Sequence, residues 1–241
     1  MGNRGRKMRS EDSLGWEKSL DLETQSDQAK LTDQKKLEAR FSGDDVEIIE
    51  SRTGYQGFFR LQQMTVRHRL FEGGWSRPLS RELFVRDDAT CVLLYDPRAD
   101  AVVLIEQFRI GALDDPHGPW LLELVAGIVE PGESDRQVAC REAQEEAGAE
   151  ILELVPICNY HVSPGGSREY VHLMCAKVDS SGLSGYHGLE QEGEDIRVAV
   201  VSRQQAYEAV ESGRINNAPT IMALQWLQLN WSKLQAQWLE S

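Results

Sequence analysis

The segment GIVEPGESDRQVACREAQEEAGAE, Gly127 to Glu150, constrains the fold of this 241-residue chain more than any other. Ser134 followed three residues later by Gln137 is a capping-box pattern that starts a helix, and Gly148 is placed to end it in a left-handed conformation. The spacing predicts a helix from about Asp135 to Ala147. Val138, Ala139, Ala143 and Ala147 form a narrow face of small apolar side chains that can lie close against a sheet. Glu142, Glu145 and Glu146 fall on or beside the other face, with Glu142 and Glu146 one turn apart. Like charges at that spacing cost an isolated helix roughly 0.2–0.5 kcal/mol. Solvent and Arg141 could offset so small a cost, so this stretch alone is compatible with a solvated acidic face.

Strand patterns surround the helix. From Asp44 the runs DVEIIES, FFRLQQMTVRHRLF and LSRELFV, separated by the turn-like TGYQG and EGGWSRP, read as a small antiparallel β unit. TCVLLYD, AVVLIEQF and WLLELVAGIV follow as three strand candidates rich in Val, Leu and Ile. After the helix, ILELVPICNYHV, EYVHLMCAKV and IRVAVVS read as further strands, the last leading into a helix near RQQAYEAVES. The tail PTIMALQWLQLNWSKLQAQWLE is an amphipathic helix, with Ile221, Leu224, Leu227 and Trp231 at helical spacing and Pro219 suited to its first turn. The class is therefore α+β. The expected organisation is a polar, mobile extension over residues 1–41, a small β domain over 42–85, and a mixed β-sheet with helices packed around it over 86–241.

Composition excludes several classes. The chain is 41% hydrophobic and 27% charged, ordinary for a globular protein, and it has no run of about 18 apolar residues to span a bilayer. The N-terminal charges have no apolar core behind them, and Arg6 sits where a myristoylation motif wants Ser or Thr, so neither export nor a membrane anchor is expected. Cys91, Cys140, Cys158 and Cys175 show no CxxC pairing and no His at ligand spacing, which argues against a zinc site or a disulfide framework and fits a reducing cytoplasm. The formal net charge of -13 disfavours nucleic acid as a partner. A polyanionic substrate must then be met by local cations or metal ions.

Gly127, Glu133, Arg141-Glu142, Glu145-Glu146 and Gly148 occupy every charged and glycine position of the Nudix box, and on these residues the chain resembles the Nudix hydrolases. Ala143 and Ala149 depart from the bulky aliphatic residues usual at their positions. The resemblance implies that Glu142 and Glu146 hold Mg²⁺, with Mn²⁺ a substitute, joined by the backbone carbonyl of Ala126. Hard divalent cations take such oxygen ligands and share them with substrate phosphates. Arg141 would orient the carboxylates through charge-assisted hydrogen bonds, and Glu133 would brace the loop or helix.

SPGGSRE, Ser163 to Glu169, places Pro164 fifteen residues after Ala149, which resembles the marker of the ADP-ribose pyrophosphatase subfamily. GFF, RHRLF, VVLIEQFRI, PWLLELVAGIVEPGES and HGLEQEGEDIRV extend the likeness over about residues 42 to 241. The resemblance implies a homodimer exchanging its N-terminal β domain. It also implies substrate contacts from Phe58, Phe59, Arg81, Glu82, Arg86, Arg109, Ile128, Ser163, Pro164, Gly165 and Glu169. Phe58 and Phe59 would pack on adenine and Arg109 would meet phosphate, although an isolated Phe is more often core and an isolated Arg more often surface. In the acidic loop LEQEGEDI, Glu192 would accept a proton and Glu194 would be a further metal-linked carboxylate, with Glu145 of the box the next candidate base.

The expected activity is Mg²⁺-dependent hydrolysis of ADP-ribose to AMP and ribose 5-phosphate. The alternatives are a pyrophosphatase for GDP-mannose or another nucleotide sugar, and a non-catalytic Nudix-like ligand-binding regulator.

Overall fold

The computed structural model describes residues 39–239; of the polar extension expected over 1–41, residues 1–38 lie outside them. The described chain forms two compact units, one of residues 39–48 and 66–79, the other of residues 49–65 and 80–239. In chain order the elements are β1 (Val46–Gln56), β2 (Arg60–His68), β3 (Leu79–Val85), β4 (Ala89–Asp96), β5 (Ala101–Phe108), β6 (Trp120–Glu123), β7 (Val125–Ile128), α1 (Asp135–Ala147), β8 (Glu153–His161), β9 (Ser167–Arg168), β10 (Tyr170–Lys177), β11 (Tyr186–His187), β12 (Ile196–Ser202), α2 (Arg203–Glu211) and α3 (Ala218–Leu239).

The smaller unit is held by a few local contacts. Ser42 caps a 3-10 turn at Gly43–Asp45. Arg67 pairs with Glu47 at 2.6 Å, and Arg67 and Arg69 both lie over the Trp75 ring, at 5.0 and 4.4 Å from its centroid. Each such cation–π contact contributes about 0.5–1 kcal/mol at an exposed site.

In the larger unit an eight-stranded mixed sheet runs β11-β12-β5-β4-β10-β8, with β6 paired to β5 and β7 to β4. A second sheet has the order β1-β2-β3-β9, in which β9 lies parallel to β3 and comes from far along the chain. β4 is parallel to β10 and antiparallel to β5 and β7. It is buried along almost its whole length, which is why TCVLLYD is a continuous apolar run: both faces of the strand are covered.

On one face Val92, Leu94, Val103, Ile105 and Val125 pack against Ala139, Ala143 and Ala147 of α1. On the other, Leu93, Tyr95, Leu104, Leu173 and Cys175 pack against Ala223, Leu224, Leu227 and Trp238 of α3. Burying each of the large side chains contributes roughly 1.5–3 kcal/mol. Ala143 and Ala149, the departures from the usual box, are fully enclosed at 0% and 2% exposure.

WLLELVAGIV is not one strand, as its apolar run, interrupted only by Glu123, suggests. β5 pairs with β4 through Ala101–Val103 and with β6 through Ile105–Phe108, while β7 takes the other end of β4. The chain therefore changes partners at Leu124, which is buried. Among the described residues, no helix is long and apolar enough to cross a membrane. All four cysteines are free, Cys91 and Cys175 buried, Cys140 and Cys158 exposed.

Candidate active site

α1 begins and ends as its sequence predicts. The Ser134 hydroxyl accepts from the Gln137 amide, Gln137 reciprocates, and Gly148 is left-handed at φ 63. The helix orientation differs from that expected for its charges. Glu142 and Glu146 share the buried side with Val138, Ala139, Ala143 and Ala147, at 9% and 2% exposure. The solvated acidic face is thereby overturned. Small alanines bring the helix axis close to the sheet, and the two longer side chains are carried under the β7 backbone.

Each carboxylate has a specific place. The Ala126 amide donates to Glu146 Oε2 at 2.9 Å. Gly127 has no side chain where a Cβ would overlap the Glu142 carboxylate. Arg141 organises the rest: Nη1 donates to Glu142 Oε1 at 2.6 Å and to Glu145 Oε2 at 3.3 Å. Nε and Nη2 make the paired bonds to Glu133, at 3.2 and 3.0 Å, and Nη2 also reaches the Ile128 carbonyl at 3.4 Å. The Arg141 bonds hold the Glu133 carboxyl below the usual range.

Burial pushes the Glu146 carboxyl up to about 8 against the bond from Ala126, and the nearby charges of Glu142 and Glu194 push it the same way while Arg109 opposes them. Glu142 is also raised, first by burial, with Arg141 opposing and Glu145 and Glu194 adding to the rise. Hard, crowded carboxylates with too little positive charge between them are the donor chemistry a divalent cation takes. Among the described residues, no group of three or more His, Cys, Asp or Glu side chains is arranged to hold a metal ion.

A cleft adjoins the cluster. Phe58, Phe59, Val85, Arg86, Asp87, Ala89, Ile128 and Glu169 line it, and five of these were expected from sequence: Phe58, Phe59, Arg86, Ile128 and Glu169. Phe58 is 85% exposed and stands edge-on to Phe59 at 4.8 Å. The Arg86 guanidinium lies 5.1 Å from the Phe59 ring centroid and donates to buried Glu169 at 2.9 Å. Ile128 joins the two regions, since its side chain lines the cleft and its carbonyl accepts from Arg141.

The remaining expected residues are more dispersed. Arg109 follows β5 and donates through Nε to Glu123 at 2.7 Å. Ser163, Pro164 and Gly165 form an exposed turn in which the Ser163 carbonyl accepts from Gly166 and Ser167. Arg81 and Glu82 are exposed on β3 and do not line the cleft; Arg81 donates to the neighbouring Ser80 carbonyl. The acidic loop separates its two candidates. Glu194 accepts from the Leu189 amide at 3.0 Å and its charge reaches both box carboxylates, whereas Glu192 is exposed at the end of the 3-10 turn Glu190–Glu192. Sequence reasoning missed Asp87, beside Arg86 in the cleft, and Glu123, the partner of Arg109. Asp87 adjoins a cleft residue already singled out; Glu123 had no local signal.

Residues 85–224 match the family model for the NUDIX domain. The chain belongs to the Nudix family. Among its Nudix relatives, the ADP-ribose pyrophosphatase of Escherichia coli K12 is 50% identical over 202 residues, 84% of this chain and 97% of that protein. The ADP-ribose pyrophosphatase of Haemophilus influenzae is 47% identical over 204 residues, 83% and 94% of the two chains. The GDP-mannose pyrophosphatase of Cronobacter sakazakii is more distant, 32% identical over 186 residues, 76% and 95% of the two. A crystal structure of an ADP compounds hydrolase shares the fold, with a TM-score of 0.60 at 20% identity, over 82% of this chain and 98% of that one.

Proposed function

We infer that this Nudix chain hydrolyses ADP-ribose to AMP and ribose 5-phosphate, water attacking a phosphorus of the pyrophosphate. The observation that carries the reading is the buried pair of Glu142, held by Arg141, and Glu146, held by the Ala126 amide, in a chain half identical to an ADP-ribose pyrophosphatase. A bound Mg²⁺, with Mn²⁺ a substitute, would neutralise charge developing on the phosphate oxygens and help align the attacking water. Glu142 and Glu146 would hold it, with the Ala126 carbonyl and Glu194 completing the set. Arg141 keeps the Glu142 carboxylate fixed and aimed, so little reorganisation is left for the transition state.

The chain's other groups bind and move protons. Arg109 can release part of its hold on Glu123 to meet a phosphate oxygen. Phe58 and Phe59 offer flat faces to adenine, while Arg86, Glu169 and the turn at Ser163, Pro164 and Gly165 bound the ribose side. Arg81 and Glu82, exposed on β3, would contact substrate bound to a second subunit. Glu192, exposed at the end of its 3-10 turn, would accept the proton of the attacking water once the loop closes, with Glu145 the alternative base.

A homodimer built through the β region of residues 42–85 fits the surface of β1. All eleven of its residues are exposed, including the apolar Val46, Ile48, Ile49 and Tyr55, side chains that a single chain leaves in water. Light scattering should give twice the chain mass. The four free cysteines suit a reducing cytoplasm.

The deciding experiment incubates the protein with Mg²⁺ and a panel including ADP-ribose and GDP-mannose, with products separated and counted. ADP-ribose should turn over fastest, excess EDTA should abolish the reaction and Mg²⁺ should restore it. Preference for GDP-mannose would favour the more distant relatives' activity, and no turnover with any nucleotide sugar would favour a non-catalytic regulator.

A further inference from the structure

The acidic loop leaves the sheet between β11 and β12, where His187 pairs with Ile196. At that base it is tied to the catalytic helix. The Gly188 amide donates to the Glu145 carbonyl at 3.3 Å, in the last turn of α1, where carbonyls lack partners within the helix. The His187 ring packs over Gly148, with Cε1 3.0 Å from where a Gly148 Cβ would stand. The loop then folds back on itself: the Leu189 amide donates to the Glu194 carboxylate at 3.0 Å, and the Glu194 amide donates to the Leu189 carbonyl at 3.3 Å.

Gly188 sits at the centre of this arrangement. Its φ is +102, a conformation that L side chains rarely adopt, and a Cβ there would stand 2.7 Å from Glu194 Cβ and 3.3 Å from the Glu194 backbone. Gly185, three residues earlier, has a similar φ of +96 and nothing within 4 Å of the corresponding position. The two glycines thus share the backbone requirement, and only Gly188 also needs the space.

We propose that Gly188 is a positioning residue: it mounts the acidic loop on the last turn of α1 and leaves the room in which Glu194 packs at the base of that loop. Seated there, the Glu194 carboxylate would join Glu142 and Glu146 around a cation, and the missing side chain of Gly188 is what leaves it room. The consequence for turnover rests on the hydrolase reading above, whereas the consequence for cation binding does not.

The test compares Gly188→Ala with Gly185→Ala in the full chain. Mn²⁺ binding to metal-free protein is followed by electron paramagnetic resonance, melting temperature is recorded, and kcat and KM for ADP-ribose are measured at saturating Mg²⁺. Gly188→Ala should weaken Mn²⁺ binding about 10-fold and lower kcat about 10- to 100-fold, with KM changed less than about 3-fold, as expected for misplacing a group by a fraction of an ångström to an ångström. Gly185→Ala should leave Mn²⁺ binding and kcat within about 2-fold of wild type, its strain being the same. In the double variant Gly188→Ala/Glu194→Gln both readouts should match Glu194→Gln alone, because both changes act through one carboxylate.

Equal effects of the two alanines, or losses that multiply in the double variant, would overturn the proposal. Should Gly188→Ala be too unstable to assay, Gly188→Ala/Glu194→Gly removes the obstructing Cβ and should melt below Glu194→Gly by no more than Gly185→Ala melts below wild type, the backbone strain being shared; a larger loss would equally overturn it. A wild-type protein that binds Mn²⁺ but leaves ADP-ribose intact would count against the hydrolase reading, and the Mn²⁺ comparison would still decide the role of Gly188.

Discussion

Gly127 stands where any side chain would overlap the carboxylate of Glu142. The absence of one methyl group thus fixes the position of a carboxylate fifteen residues further along the chain, and Arg141 then holds it from the other side. Gly127→Ala should therefore act on activity far more than on folding. The displaced group is the far end of a flexible side chain, so the fold gives way there at a cost of about 1 kcal/mol. Turnover should fall about 100-fold or more as Glu142 leaves its place. Near-normal kcat in a folded variant would show that the position of Glu142 does not matter to the reaction.

Glu146→Gln should abolish activity and stabilise the metal-free protein. The folded Glu146 carboxyl is raised from an ordinary 4.5 to about 8. Below the ordinary value it is protonated folded or unfolded and burial is tolerated; as pH rises through the folded value, ionisation removes that stability. Metal-free wild type should lose melting temperature between about pH 5 and pH 8, Glu146→Gln should lose less, and the rise produced by Mg²⁺ should grow over the same window. A wild-type curve flat across that window, or a Mg²⁺ effect that shrinks with pH, would contradict burial as the dominant influence on Glu146.

Arg141→Lys keeps the charge and loses the planar fork. Lys cannot make the paired bonds to Glu133 and at the same time reach Glu142 and the Ile128 carbonyl. An order-of-magnitude loss in kcat is expected, about 10- to 100-fold, with a larger Mg²⁺ requirement. Steady-state kinetics against Mg²⁺ concentration would reveal it, and full activity in Arg141→Lys would reduce Arg141 to a mere counter-charge.

Glu192→Gln and Glu194→Gln should separate. A proton acceptor acts chiefly in the transition state, so Glu192→Gln should lower kcat at saturating Mg²⁺ while leaving substrate affinity nearly intact. Glu194→Gln should mainly raise the Mg²⁺ concentration needed for half-maximal rate. If neither changes the saturated rate, the base lies elsewhere and Glu145→Gln is the next variant to assay.

Much of this site was legible in the chain because its signals are local. Ser134, Gln137 and Gly148 act over three or four residues, so the limits of α1 followed from sequence. The charged and glycine positions of the box pointed to its family, and uninterrupted apolar runs marked strands buried on both faces. Which face of α1 enters the core was not local. Glu142 and Glu146 read as a polar face until four small side chains let the helix settle against β7 and carry them under it. The partner change at Leu124 was hidden for a related reason: WLLELVAGIV is apolar on both sides of Glu123, and only the switch from β5 to β4 as partner breaks the strand. The pairing of Arg109 with Glu123, and the closing of Gly188 onto Glu194, likewise required the tertiary structure. Residue types and their spacing determined which groups could do the chemistry; the fold decided which of them meet, because burial and long-range hydrogen bonds depend on contacts that no short stretch of sequence contains.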